Sequence, residues 1–244
     1  MLRLICVAIF LILYFICSIP IFLVESILGK INPGARDYSS LRIVQWGLKA
    51  VLKLSGTSVT VIGEENIPDE TALFIGNHRS YFDIVITYSR CRRLTGYIAK
   101  KEMEKIPFLS TWMRFVHCLF LDRSSTKEGL KTILQAIDYI KQGISIFIFP
   151  EGTRNKGEEL SMLPFKDGSF RIATKTGCPI VPVSINNTAD IFESHIPWIK
   201  KTHVVIEYGK PIYPKELDAE TKKNLGTYVQ NLIQETINKN AELV

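Results

Sequence analysis

The run Leu4–Val24 carries no charged residue and lies between Arg3 and Glu25. At ~1.5 Å per residue a helix of this length covers the ~30 Å hydrocarbon core of a bilayer, so the first element needs lipid or protein around it. A cleaved signal peptide would have a shorter apolar region of ~7–15 residues and a small-x-small cleavage site, and neither is present. The expectation is a retained anchor or an inserted segment, with Pro20 marking a kink or a helix that enters without crossing. Lys30, Arg36 and Arg42 follow the run, against Arg3 alone before it. The positive-inside tendency then puts the bulk of the chain on the cytoplasmic face.

In Leu41–Leu54, the polar residues Arg42, Gln45, Lys49 and Lys53 recur at helical spacing opposite an apolar face containing Ile43, Val44, Trp46, Val51 and Leu52. Beside the apolar run, this pattern reads as a helix at the bilayer surface with its lysines toward lipid phosphates. The plain alternative is a helix packed on the rest of the protein. Residues 1–56 are therefore expected to form a membrane segment and interfacial helix, and residues 57–244 a single domain.

From residue 58 onward, short β-type runs alternate with helical patterns. The expected strands are Ser58–Ile62, Ala72–Ile75, Thr95–Ala99, Cys118–Leu121, Ile144–Phe149, Ile180–Ile185 and His203–Tyr208. Several are continuously apolar, as central strands covered on both faces must be. The clearest helix is Thr126–Gln142, with Leu130, Ile133, Leu134, Ile137 and Ile140 as its apolar stripe, serines at its start and Gly143 at its end. A last helix is expected over Ala219–Asn238. The pattern predicts an α/β fold: one domain with a central, mostly parallel or mixed sheet flanked by helices, behind an N-terminal membrane-embedded helical segment.

The formal net charge of +6 suits nucleic acid, an anionic bilayer face or a phosphorylated substrate. No nucleic-acid recognition motif accompanies the charge, so that class ranks last. The five cysteines form no C-x-x-C pair, and no His/Cys cluster has metal spacing. No metal, no disulfide framework and a reducing compartment are expected.

A His and an Asp five positions apart occur twice, as His78/Asp83 and as His117/Asp122. The bare spacing proves little, but its surroundings differ. Cys118–Leu121 reads as a strand, where residues an odd number apart point to opposite faces, so His117 and Asp122 should not meet. His78 instead follows the strand Ala72–Ile75 and precedes a helical pattern starting near Ser80. A turn there folds the imidazole over the first helical turn, at the strand end where α/β sheets bind ligands. Ser80 and Asp83 also fit a plain helix cap, and both readings can hold together. A carboxylate on one imidazole nitrogen fixes the tautomer, leaving the other to take a hydroxyl proton. With no G-x-S-x-G elbow and no cysteine beside a base, direct attack of a substrate hydroxyl on a thioester fits better than a covalent acyl-enzyme.

The second cluster is Phe149-Pro150-Glu151-Gly152-Thr153-Arg154, directly after the most apolar strand. Gly152 permits a tight turn or a close backbone approach. Arg154 offers a planar fork matched to phosphate. Glu151 can hold a substrate hydroxyl or lock Arg154, and the bland reading is a polar turn with a local ion pair. Lys100, Lys101, Arg123, Lys166 and Arg171 follow or approach strand ends, where one or two would serve a phosphate and the rest are solvated charge.

At these residues the chain closely resembles the 1-acylglycerol-3-phosphate acyltransferases, within the wider glycerolipid acyltransferase superfamily. The resemblance runs from about residue 58 to 210, in four ordered blocks: Asn77–Asp83, Leu119–Arg123, Phe149–Arg154 and Val181–Val183. Lys100, in a segment ending Ile106-Pro107-Phe108, and Phe165–Gly168 also match. The resemblance implies that residues 57–244 are an acyltransferase catalytic domain with His78 as base and Asp83 as its partner. It implies that Glu151, Gly152, Thr153 and Arg154, with Arg123, Lys100 and Lys166, bind the acceptor. It further implies acyl-CoA or acyl-carrier protein as co-substrate, no other cofactor, no metal, a membrane lipid acceptor and phosphatidic acid as product. Glycerol 3-phosphate or another lysophospholipid is the alternative acceptor, and a non-catalytic adaptor binding anionic lipid is the alternative of another class. One departure stands out. The second block usually follows one or two glycines, whereas His117 and Cys118 stand there, so the shape of the pocket floor does not carry over.

Overall fold

The computed structural model describes all 244 residues. Its elements run α1 (Leu2–Ile31), α2 (Pro33–Ser55), β1 (Ser58–Ile62), β2 (Leu73–Gly76), α3 (Tyr81–Tyr88), β3 (Thr95–Lys100), α4 (Leu109–Phe115), β4 (Leu119–Leu121), α5 (Thr126–Lys141), β5 (Ser145–Ile148), α6 (Arg171–Thr176), β6 (Ile180–Asn186), β7 (His203–Tyr208), α7 (Ala219–Lys223) and α8 (Leu225–Asn240). The seven strands form one sheet in the order β1-β7-β6-β2-β5-β3-β4. All neighbours are parallel except β6 and β7. The central strands β6, β2 and β5 are buried along their whole length, which is why they read as continuous apolar runs. Alternate residues serve opposite faces: Phe74, Phe147 and Val183 join one core, Leu73, Ile75, Ile146 and Ile180 the other.

The second core lies under α5, α6 and α8, and the first under α3 and the two N-terminal helices. Val7, Leu41 and Val51 belong to the same cluster as Phe82, Ile86 and Val204. The two N-terminal helices form an antiparallel hairpin whose turn is Asn32; its side chain accepts from Ala35 N–H at 3.1 Å, and Pro33 opens α2. Inside the hairpin, the buried Glu25 carboxylate accepts from Ser39 Oγ at 2.6 Å and Ser40 Oγ at 3.0 Å. Trp112 of α4 packs on Phe22 with ring centroids 5.0 Å apart and donates its indole N–H to Ser18 Oγ at 2.9 Å. By length and composition α1 is able to cross a membrane, and little of it is buried.

Three expectations need correction. Within α2, Arg42, Lys49 and Lys53 are exposed, but Gln45 turns inward and donates to Tyr88 O at 3.3 Å and Cys91 O at 2.6 Å. The helix is therefore packed on the domain through α3, and among the apolar residues expected on its lipid face Trp46 alone is exposed. In α5 the covered face is Thr132, Ala136, Ile137 and Ile140, whereas Leu130 and Leu134 are exposed. The C-terminal helix breaks at Asn224. Ala219–Lys223 buries nothing, so only α8 has an apolar face (Val229, Ile233, Ile237) to lay on the sheet.

Candidate active site

Strand β2 ends at Gly76, and the next residue anchors the turn. Buried Asn77 donates from Nδ2 to Ile185 O and accepts from Ile185 N–H, both at 2.8 Å, fixing the strand end to β6. His78 then leaves the sheet, and Ser80 caps α3 by accepting from Phe82 N–H at 2.9 Å. Asp83, in the first turn of α3, is fully buried. Its Oδ2 accepts from His78 Nδ1 at 2.8 Å, Arg79 N–H at 2.7 Å and Ser80 N–H at 2.8 Å. Its Oδ1 accepts from the Thr188 hydroxyl. The helix-cap and His–Asp readings thus hold together in one carboxylate. Three other donors converge on this carboxylate, an environment that favours its anion and pairs it with an Nδ1–H of His78, the tautomer that leaves Nε2 as an acceptor. The imidazole lies on the Phe149 ring at a centroid distance of 4.2 Å and is partly open to solvent.

The Phe149–Arg154 turn follows the neighbouring strand β5. Glu151 is buried, and its two oxygens are both taken by backbone: Oε1 by His78 N–H at 2.6 Å, Oε2 by Leu163 N–H at 2.8 Å. Burial pushes its carboxyl above the usual carboxylate range, against the pull of those two donors. Asn155 N–H returns a bond to His78 O at 2.7 Å. The ends of β2 and β5 are therefore laced together through His78. Gly152 has φ +76°, and a Cβ there would meet Lys166 Nζ at 2.7 Å. Thr153 and Lys166 are exposed at this turn.

Arg154 is not locked by Glu151. Its Nη1 donates to Glu193 at 2.9 Å, and its guanidinium carbon lies 3.7 Å from the Tyr81 ring centroid. Lys100 and Arg123 stand at the ends of β3 and β4, on the same sheet edge as His78. They line an open cleft of about 580 Å³ with Lys101, Lys105, Glu102 and Asp122. Lys100 pairs with Glu102 and Lys101 with Asp122, each at 2.8 Å, so Arg123 and Lys105 face the cleft without a carboxylate partner.

His117 and Asp122 do not meet, as expected. His117 bonds Asp37 of α2 at 3.0 Å, while Asp122 takes Lys101 and Ser124. His117 has φ +58°, a left-handed conformation that favours glycine. Sequence reasoning missed Thr188, Glu193, Phe149 as a ring support and Tyr81 as an arginine platform. Thr188 and Glu193 carry no local signal, since only the β6–β2 pairing brings them to the site.

The family profile described as Acyltransferase matches residues 58–186. The 1-acyl-sn-glycerol-3-phosphate acyltransferase of Saccharomyces cerevisiae is 32% identical over 79% of this chain, which spans 63% of the yeast protein's length. The protein of that name from Borreliella burgdorferi is 33% identical, covering 76% of this chain and 74% of its own. That of Haemophilus influenzae is 31% identical over 92% of both. The crystal structure of the 1-acyl-sn-glycerophosphate (LPA) acyltransferase PlsC from Thermotoga maritima superposes with a TM-score of 0.83 at 26% identity, covering 98% of this chain and 94% of the other. With the family profile matched over more than half its length, from β1 through β6, this chain belongs to the acyltransferase family.

Proposed function

We propose that this enzyme transfers a fatty acyl group from a thioester donor to the free hydroxyl of 1-acylglycerol 3-phosphate, giving phosphatidic acid. The observation that carries this reading is the His78–Asp83 pair, whose Nε2 has no protein partner, at the same C-terminal end of the parallel strands from which Arg154, Lys100 and Arg123 emerge. The acceptor hydroxyl gives its proton to Nε2 as its oxygen attacks the thioester carbonyl, with Asp83 stabilising the imidazolium. The C–S bond then breaks, and the departing thiolate takes the proton back from Nε2. No acyl-enzyme is needed. Burial pushes the Cys91 thiol up to about 11 and that of Cys118 up to about 12, far from nucleophilic range.

The acceptor phosphate is assigned to Arg154, Lys100 and Arg123, with Lys166 near the Gly152 turn. Glu151 serves as a brace that holds the His78 backbone rather than as a ligand. The donor is acyl-CoA or acyl-carrier protein.

The lipid acceptor arrives along the bilayer. Ile5, Ile9, Ile12, Ile16, Ile19 and Leu23 form an exposed apolar face on α1. Because α1 runs along α2 and packs on α4, a full crossing would draw charged α2 into hydrocarbon. The hairpin instead inserts in one leaflet, with the domain on the cytoplasmic side where donor thioesters are made.

The test supplies purified protein with one acyl-CoA and, in turn, lysophosphatidic acid, glycerol 3-phosphate and other lysophospholipids, following thiol release. Lysophosphatidic acid should be the best acceptor, and equal rates on the others would sink the narrower assignment. His78→Ala should abolish turnover while membrane binding persists; wild-type rates in that variant would leave only a lipid-binding adaptor.

A further inference from the structure

One side chain beyond the matched residues touches both halves of the site. Glu193 opens a 3₁₀ turn, Glu193–His195, in the connection from β6 to β7. Its Oε2 accepts from Ser80 Oγ at 2.6 Å. Its Oε1 accepts from Tyr81 N–H at 2.8 Å and from Arg154 Nη1 at 2.9 Å. The first two contacts hold the start of α3, one turn ahead of Asp83. The third holds the arginine that follows Glu151-Gly152-Thr153. The Glu193 side chain is only 16% exposed, which strengthens a charge-assisted bond relative to one in open water.

The geometry at Arg154 has a direction. Nη1 is taken by Glu193 and one guanidinium face by Tyr81, while Nε and Nη2 donate to nothing in the protein. An edge of two parallel N–H donors is thus presented outward, the arrangement that matches two phosphate oxygens. An arginine without these two supports would have to surrender its rotamer freedom on binding. Helix capping alone does not account for the carboxylate, because Ser80 and Asp83 already form a complete capping box.

We propose that Glu193 is a positioning residue that presents Arg154 to the acceptor phosphate and clamps the start of α3, so that one carboxylate aligns phosphate recognition with the His78–Asp83 pair. This rests on the assignment of Arg154 to the acceptor phosphate made above. The two arms are separable by substitution. Glu193→Gln keeps polar partners for Ser80 and Tyr81 but removes the ionic bond to Arg154. Glu193→Ala removes all three contacts.

The experiment is steady-state kinetics of the full-length protein in detergent or vesicles, varying lysophosphatidic acid at saturating acyl-CoA and then the reverse. Thermal melting of each variant is recorded alongside. Glu193→Gln should raise the acceptor KM about 10-fold, because its amide oxygen can still accept from Arg154 Nη1 but no longer carries the charge that holds the guanidinium, with the donor KM unchanged. Glu193→Ala should add a fall in kcat of about 10-fold as the start of α3 loosens. In an Arg154→Ala background, Glu193→Gln should raise the acceptor KM no further, because the two residues act as one unit. An unchanged acceptor KM in Glu193→Gln, or additive effects in the double variant, would overturn the proposal. A purely structural role would lower the melting temperature and the active fraction without that KM split. Failure of the wild-type protein to acylate lysophosphatidic acid would instead overturn the assignment of function, and this inference with it.

Discussion

The backbone N–H of His78 donates to Oε1 of Glu151 at 2.6 Å, joining the end of β2 to the turn after β5. Because Asp83 holds the ring of the same residue, His78 is fastened at both its main chain and its imidazole. The two most informative sequence blocks are thus one bonded unit.

Glu151→Gln tests that brace. The amide oxygen can still accept from His78 N–H, but its NH₂ then faces Leu163 N–H, leaving an unpaired buried donor worth about 1–3 kcal/mol. Activity should fall about 10-fold or more through kcat. The pH dependence has a defined sign. Burial raises the folded-state Glu151 carboxyl above its unfolded value, so its contribution to stability is complete at low pH and is lost as pH rises through the raised value. The wild-type protein should therefore lose stability relative to Glu151→Gln over the mildly acidic range, as read from urea melts at several pH values.

Asp83→Asn replaces an acceptor of four donors with a group that must itself donate. Turnover should drop by ~10²–10⁴, the size of general-base help, with little change in either KM. Thr188→Val removes one of those donors from outside the block and should cost about 1–3 kcal/mol of stability with a smaller kcat loss. Rapid-quench or thiol-release assays at saturating substrates separate the two cases.

Arg123 faces the basic cleft without a carboxylate partner, so Arg123→Ala should act on the acceptor alone. Its KM should rise about 10-fold, with donor KM and melting temperature nearly unchanged. A matching rise in donor KM would move Arg123 out of the acceptor site.

Ile12 and Ile16 are 59% and 56% exposed on α1. Replacing both with Asp should weaken vesicle flotation strongly, since each charge costs ~2.5–3.5 kcal/mol in an apolar bilayer environment. The melting temperature in detergent should move little, because neither side chain belongs to the core.

The sequence by itself determined the strands, the apolar N-terminal helix and the identity of the His–Asp pair. Each of these is a local property: β2, β5 and β6 announce themselves as continuous apolar runs, and Ser80 and Asp83 cap a helix whatever lies across from it. Tertiary structure decided which polar groups are free and which are spent. Glu151 reads as a ligand in its hexapeptide, yet the pairing of β2 with β5 brings the His78 N–H onto its carboxylate, and the loop that follows brings the Leu163 N–H. Gln45 reads as part of a basic stripe, yet the end of α3 and the turn after it supply two carbonyls, of Tyr88 and Cys91, that draw it inward. Thr188 lies 105 residues from Asp83 and Glu193 113 residues from Ser80, and only the parallel pairing of β2 with β6 places them there. A hydrogen bond between residues so far apart depends on strand order, and strand order is set by burial of the whole sheet rather than by any local pattern.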